Sequence, residues 1–108
     1  MSSEGGPRVR GSVRPLVESF DRIGSPWRLV VLDTLQGREM RFSELREATG
    51  ANQSTLARVL DDLDADGLVQ RRLEEDSPVA TYYGLTEKGT ALQPALRSLT
   101  EWAEEWLG

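Results

Sequence analysis

The chain has 108 residues, with 13 Lys and Arg against 18 Asp and Glu, a formal net charge of -5, and neither cysteine nor histidine. One domain is expected, near the size at which dimerisation often supplies part of the stability. Thiol chemistry, disulfides and thiolate metal sites are excluded, and the usual general base and metal ligand are missing with histidine, so no catalytic site, metal or cofactor is expected.

The acidic balance speaks against a non-specific nucleic-acid coat, which favours a basic protein. No apolar run approaches the roughly 20 residues that cross a bilayer, and the opening MSSEGGPRVRGS lacks the apolar centre of a signal peptide. No membrane partner is therefore expected, and the expected location is cytoplasmic.

Residues 1–12 are rich in Gly, Ser and Arg and have no periodicity, which predicts a flexible arm ahead of a single domain over 13–108. Arg8, Arg10 and Arg14 make this arm basic. An arm that touches DNA is one reading and a solvated tail the simpler one. A short helix is predicted over 15–23, with Leu16, Phe20 and Ile23 on one side and Gly24 as its stop. Ser25 then caps a second helix that has Pro26 in its first turn, where the missing amide costs nothing. Trp27, Leu29, Val30, Val31, Leu32 and Leu35 make this helix apolar nearly all round, so it is expected to be the central buried one, with Trp27 in the core. Gly37 closes it, residues 40–42 suit a brief strand, and Ser43 is placed to cap a third helix.

Residues 42–72, FSELREATGANQSTLARVLDDLDADGLVQRR, carry the most information. Phe42, Leu45 and Ala48 share one helix face, and Leu56, Val59, Leu60 and Leu63 recur at the i, i+3, i+4, i+7 spacing of a buried stripe. Gly50 supplies a left-handed stop between them and Asn52 an N-cap. Two short helices joined by such a turn predict a helix-turn-helix, which presents its second helix to the major groove. After Asp66 and Gly67, residues 68–73 and 80–85 alternate as two strands around a charged EEDSP tip, the hairpin "wing" of a winged helix. Thr86 caps a long last helix carrying Leu92, Ala95 or Leu96, Leu99, Trp102 or Ala103, and Trp106 near heptad spacing. The predicted fold is mainly α with a small β-hairpin.

With Leu56, Leu60 and Leu63 turned inward, a 100° step per residue sets Ser54 and Arg58 on the outer side, flanked by Thr55 and Ala57. Gln53, Ser54, Thr55 and Arg58 are the candidate readers of double-stranded DNA. Arg58 suits a guanine, whose O6 and N7 its fork can address together, while Ser54 and Thr55 suit phosphate beside a helix N-terminus. Arg41, Ser43, Arg71 and Arg72 bracket the motif as candidate backbone contacts, of which only one of the two adjacent strand arginines can face the duplex. Arg46 reads as an ordinary surface residue. The Trp102 and Trp106 stripe reads as packing between subunits rather than a ligand pocket, and Glu101, Glu104 and Glu105 as a solvated face.

The segments IGSPWRLVVLDTLQG, RFSELREATG, STLARVLDDLDADGLVQRR and YYGLTEKGTAL resemble the HxlR-type winged helix-turn-helix transcription regulators from about Pro15 to Trp106. Ile23, Gly24 and Trp27 with the nearby RFSELR discriminate best, because MarR-like and PadR-like proteins share the other patterns. The resemblance implies a homodimer on a pseudo-palindromic operator, built by the first and last helices, here Leu16, Phe20, Leu92, Leu96, Leu99, Trp102 and Trp106. It names no effector and does not say whether transcription is repressed or activated.

The chain departs from that pattern in three places. Arg14 and Pro15 stand where many members carry a sensing cysteine, which excludes a thiol switch. Val59, with Asp61 and Asp62 nearby, stands where a basic residue is frequent in the DNA-reading helix, and this weakens the expected base reading. Glu74, Glu75 and Asp76 lie at a wing tip that is usually basic. These acids favour the alternative function, a winged helix used as a protein-protein interaction module without specific DNA binding.

Overall fold

The structure is a computed structural model in which residues 6–75 and 79–108 are described. Asp76, Ser77 and Pro78 of the wing tip, like residues 1–5 of the expected arm, lie outside the described residues. In chain order the elements are α1 (Arg14–Ile23), α2 (Pro26–Thr34), β1 (Met40–Arg41), α3 (Phe42–Thr49), α4 (Gln53–Ala65), β2 (Val69–Glu74), β3 (Ala80–Leu85) and α5 (Glu87–Trp106). The strands form an antiparallel sheet in the order β1-β3-β2, so the brief strand before α3 becomes the third strand of the wing sheet. This is a winged helix-turn-helix.

Local chemistry sets most boundaries. The Ser25 hydroxyl accepts the Arg28 amide at 3.2 Å, the Asn52 side chain accepts the Thr55 amide at 2.8 Å, and the Thr86 hydroxyl accepts the Gly89 amide at 3.0 Å. Gly50, at φ 78°, turns the chain between α3 and α4 while its amide returns to the Arg46 carbonyl. Ser43 does not cap α3. The helix begins one residue earlier, at Phe42, and the Glu44 carboxylate reaches back to accept the Arg41 amide at 2.8 Å.

The core gathers Val31, Leu32 and Leu35 of the α2 region, Leu45 of α3, Leu56, Val59, Leu60 and Leu63 of α4, and Val69 and Tyr83 of the sheet. Trp27 and Val30 are not part of it, at 38% and 40% exposed. Helices α3 and α4 cover only one flank of the nine-residue α2, so residues 27 and 30, one turn apart, remain on the uncovered flank. Ala48 is likewise exposed, and Thr49 takes the inner position at the end of α3.

The outer helices stand off this core. Helix α1 buries only Ile23, and α5 only Gly89 and Gln93. The radius of gyration, 16.1 Å, accordingly exceeds the roughly 13 Å of a compact chain of this length. Pro94 lies inside α5 and brings no amide to the Thr90 carbonyl one turn back. Beside Gly89, Gln93 accepts a 2.8 Å hydrogen bond from the Gln36 amide, which satisfies a buried polar side chain.

Candidate nucleic-acid interface

Helix α4 turns Leu56, Val59, Leu60 and Leu63 inward and leaves Gln53, Ser54, Ala57 and Arg58 exposed, with Thr55 half-buried. Val59 is 4% exposed, so its apolar side chain is part of the packing and takes nothing from the outward face. The Ser54 hydroxyl donates to the capping Asn52 oxygen at 3.1 Å, which pre-sets the first turn. The free amides and dipole of this helix start favour an anion.

The acids of α4 sit differently from the sequence expectation. Asp61 is exposed, but Asp62 is paired with Arg28 at 2.9 Å and Asp66 faces Arg22 at 3.8 Å. Asp62 of this helix is thus answered by α2, and the capping Asp66 by α1, while Asp61 and Asp64 stay exposed.

The bracketing arginines separate into two groups. On one face of the sheet, Arg41 donates from Nε to the Tyr82 hydroxyl at 3.2 Å and lies 5.6 Å over its ring. This contact holds the Arg41 guanidinium more firmly protonated than usual. Arg72 lies over the same ring at 4.8 Å and is clasped by Glu39 at 2.9 Å and Glu74 at 2.6 Å. The Glu39 carboxyl is held below its ordinary range by the Arg72 hydrogen bond, and Arg72 is raised by the same partners. Arg72 is thereby a strap of the wing, its charge answered inside the protein.

Arg71 pairs across from Tyr83 and shares the face of buried Val69, toward α4, where it stays exposed. Among the described residues Arg58 and Arg71 make no ion pair. Ser43 is exposed in the first turn of α3. The structure therefore brings Gln53, Ser54, Thr55 and Arg58 together on one helix start, and gathers Arg41 and Arg72 around Tyr82. The roles of Tyr82, Glu39 and Arg28 were not anticipated from the sequence, because each depends on a contact between distant segments.

The apolar side chains expected between subunits also divide. Leu16, Phe20, Leu99, Trp102 and Trp106 are 46–68% exposed, whereas Leu92 and Leu96 are half-buried against the chain's own core. Between α2 and α5 runs an open groove of about 460 Å³, lined by Leu29, Val30, Leu96, Leu99 and Ala103 and flanked by Asp33 and Arg97. Among the described residues no helix is long and apolar enough to cross a membrane.

The chain is similar to proteins named as transcriptional regulators. The chain is 38% identical over 87 residues to an HTH-type transcriptional regulator of Methanothermobacter thermautotrophicus, an alignment covering 80% of this chain and 66% of that one. It is 34% identical over 94 residues to the HTH-type transcriptional regulator YodB of Bacillus subtilis, covering 85% and 84%. The structure of reduced YodB superposes with a TM-score of 0.80 at 31% identity, over 86% of this chain and 92% of that one. Residues 22–108 match the HxlR-like helix-turn-helix family. The chain thus belongs to the HxlR-like helix-turn-helix family of DNA-binding transcriptional regulators.

Proposed function

We propose that the protein regulates transcription as a homodimer, setting the first turns of two α4 helices into successive major grooves of a pseudo-palindromic operator. The observation that carries this reading is the outward face of Gln53, Ser54 and Arg58, flanked by half-buried Thr55, on which the single cation has no acid partner among the described residues. In this reading Arg58 reads a base and gives about 1–3 kcal/mol of discrimination, while Ser54 and Thr55 hold phosphate at the helix dipole. Arg71 is the wing residue placed for the backbone. Arg72 and Arg41 support the sheet, and Ser43 sits at the edge of the footprint. The dimer is supported by Leu16, Phe20, Leu99, Trp102 and Trp106, five large apolar side chains without a cover in the single chain.

With acids close to the motif, few phosphate contacts are expected, so operator affinity should fall gently with salt, at a slope of about -0.9 per phosphate neutralised. Selection of bound sequences from random DNA with the purified protein tests the proposal. A two-fold related motif with half-sites about 34–36 Å apart supports it, and no enrichment at low salt overturns it in favour of the interaction module. In the recovered site, Arg58→Ala should relax the preference at one position per half-site. Uniform weakening across sequences would instead make Arg58 a phosphate contact.

A further inference from the structure

Helix α1 buries one side chain, Ile23 at its C-terminal end, with Val17 half-buried and the outward Leu16 and Phe20 exposed. What holds its C-terminal end is Arg28 of α2. One terminal nitrogen of that guanidinium donates to the Asp21 carbonyl at 3.3 Å and the Arg22 carbonyl at 3.2 Å, the last turn of α1, where a cation is favoured. The other terminal nitrogen donates to Asp62 at 2.9 Å, on the flank of the DNA-reading helix. Arg28 is itself steadied, since its backbone amide is held by the Ser25 cap. A planar fork with donors on two nitrogens suits this three-way joint, which a lysine could not span in the same geometry. Arg22 to Asp66, one turn further along α4, adds a second and longer tie between the same helices.

We infer that Arg28 is a positioning residue that sets the angle between α1 and α4, and through it the half-site spacing the protein selects. This rests on the dimeric regulator proposed above, in which α1 helps join the subunits. Ten helical residues make a lever of about 15 Å, and a tilt of about 10° at the joint moves its far end by roughly 2.6 Å. That displacement approaches the roughly 3.4 Å rise of one base pair. Angular play at Arg28 therefore translates into tolerance of the wrong spacing.

Two measurements on the full chain test this. The chain lacks cysteine, so paired spin labels can be placed at Arg14→Cys, the far end of α1, and Asp64→Cys in α4, diluted with unlabelled protein so that pairs within one chain dominate. Arg28→Ala and Asp62→Ala should each broaden or shift the distance distribution by about 2–3 Å without loss of helix content, with Arg28→Lys falling between them and the parent. On operators whose half-sites are moved one base pair closer or further, the parent's preference for its own spacing, about tenfold or more, should shrink to within about threefold in both alanine variants. A general weakening with the spacing preference intact would overturn the inference, as would an unchanged distance distribution. Asp62→Ala keeps the test decisive if Arg28→Ala does not fold. If the parent selects no operator, the regulator reading fails, while the label distances still decide whether Arg28 sets the angle.

Discussion

Gly89→Ala sets two effects of opposite sign against each other. Alanine in a helix is favoured over glycine by about 1 kcal/mol, so propensity alone predicts stabilisation. The structure predicts the reverse. A Cβ at position 89 would lie 2.2 Å from the Leu68 carbonyl oxygen, 3.2 Å from its carbon and 3.4 Å from a Leu85 methyl. An ordinary carbon-oxygen contact begins near 3.3 Å, so about 1 Å must be found by moving backbone.

The Leu68 carbonyl also accepts the Thr86 amide at 3.1 Å, and the Gly89 amide is held by the Thr86 hydroxyl. Parting the two segments therefore loosens the α5 cap as well. Overpacking costs about 1–3 kcal/mol, and the cap and hydrogen bond about 1 each, against the gain of about 1, for a net loss of about 2–4 kcal/mol. For a domain of this size that lowers Tm by roughly 10–20 °C. Thermal unfolding followed by circular dichroism at fixed protein concentration measures it, with Gly11→Ala, which meets no atom within 4 Å, as the neutral control. A Gly89→Ala Tm equal to or above the parent's would refute the close approach of α5 to the Leu68 carbonyl, just ahead of β2.

Asn52→Ala should cost about 1 kcal/mol in urea unfolding and weaken operator binding more than stability alone explains, because the lost cap organises the turn that carries Gln53 to Thr55; unchanged operator affinity would count against that turn as the reader. Arg71→Ala should lower the steepness of the salt dependence by about 1, while Arg72→Ala leaves it unaltered, since Arg72 is already neutralised by Glu39 and Glu74; equal changes would show that the strap opens on DNA. The folded-state pKa of Glu39 is depressed, so its ion pair contributes above the unfolded value of about 4.3 and is lost as pH falls through the folded one. Glu39→Gln should therefore be less stable than the parent near neutral pH, with the gap in Tm closing in acid below about pH 4; a gap that widens in acid would reverse the assignment.

What the sequence made readable is what short-range chemistry decides. Ser25, Asn52 and Thr86 cap where expected because a cap needs only the next three residues, and the stripe from Leu56 to Leu63 is buried because its spacing admits one inner face. Ser43 does not serve as the cap because Glu44, one residue on, reaches back to the Arg41 amide and starts the helix earlier. The exposure of Trp27 and Val30 is not legible in the pattern, because a helix apolar all round does not say which flank its neighbours leave open. For the strand arginines, alternation says that one of Arg71 and Arg72 faces away, but not which. That choice depends on Glu39, 33 residues distant, and on Tyr82 from the facing strand. The same holds for Arg28 and Asp62, 34 residues apart: one acid that reads as a barrier to DNA is already paired, while Asp61 beside it stays exposed.

Pro94 divides α5 into two lengths with different dependence on their surroundings. The first leans on the sheet edge through Gly89 and on the turn after α2 through Gln93. The second, residues 95–106, fully buries no side chain of its own. A helix of about a dozen residues is marginal alone in water, and this one starts beside a missing backbone hydrogen bond. Given the proposed dimer, order in that half and association become one equilibrium. The number of chains in the cell, and not only their affinity for an operator, then meters how much competent regulator exists.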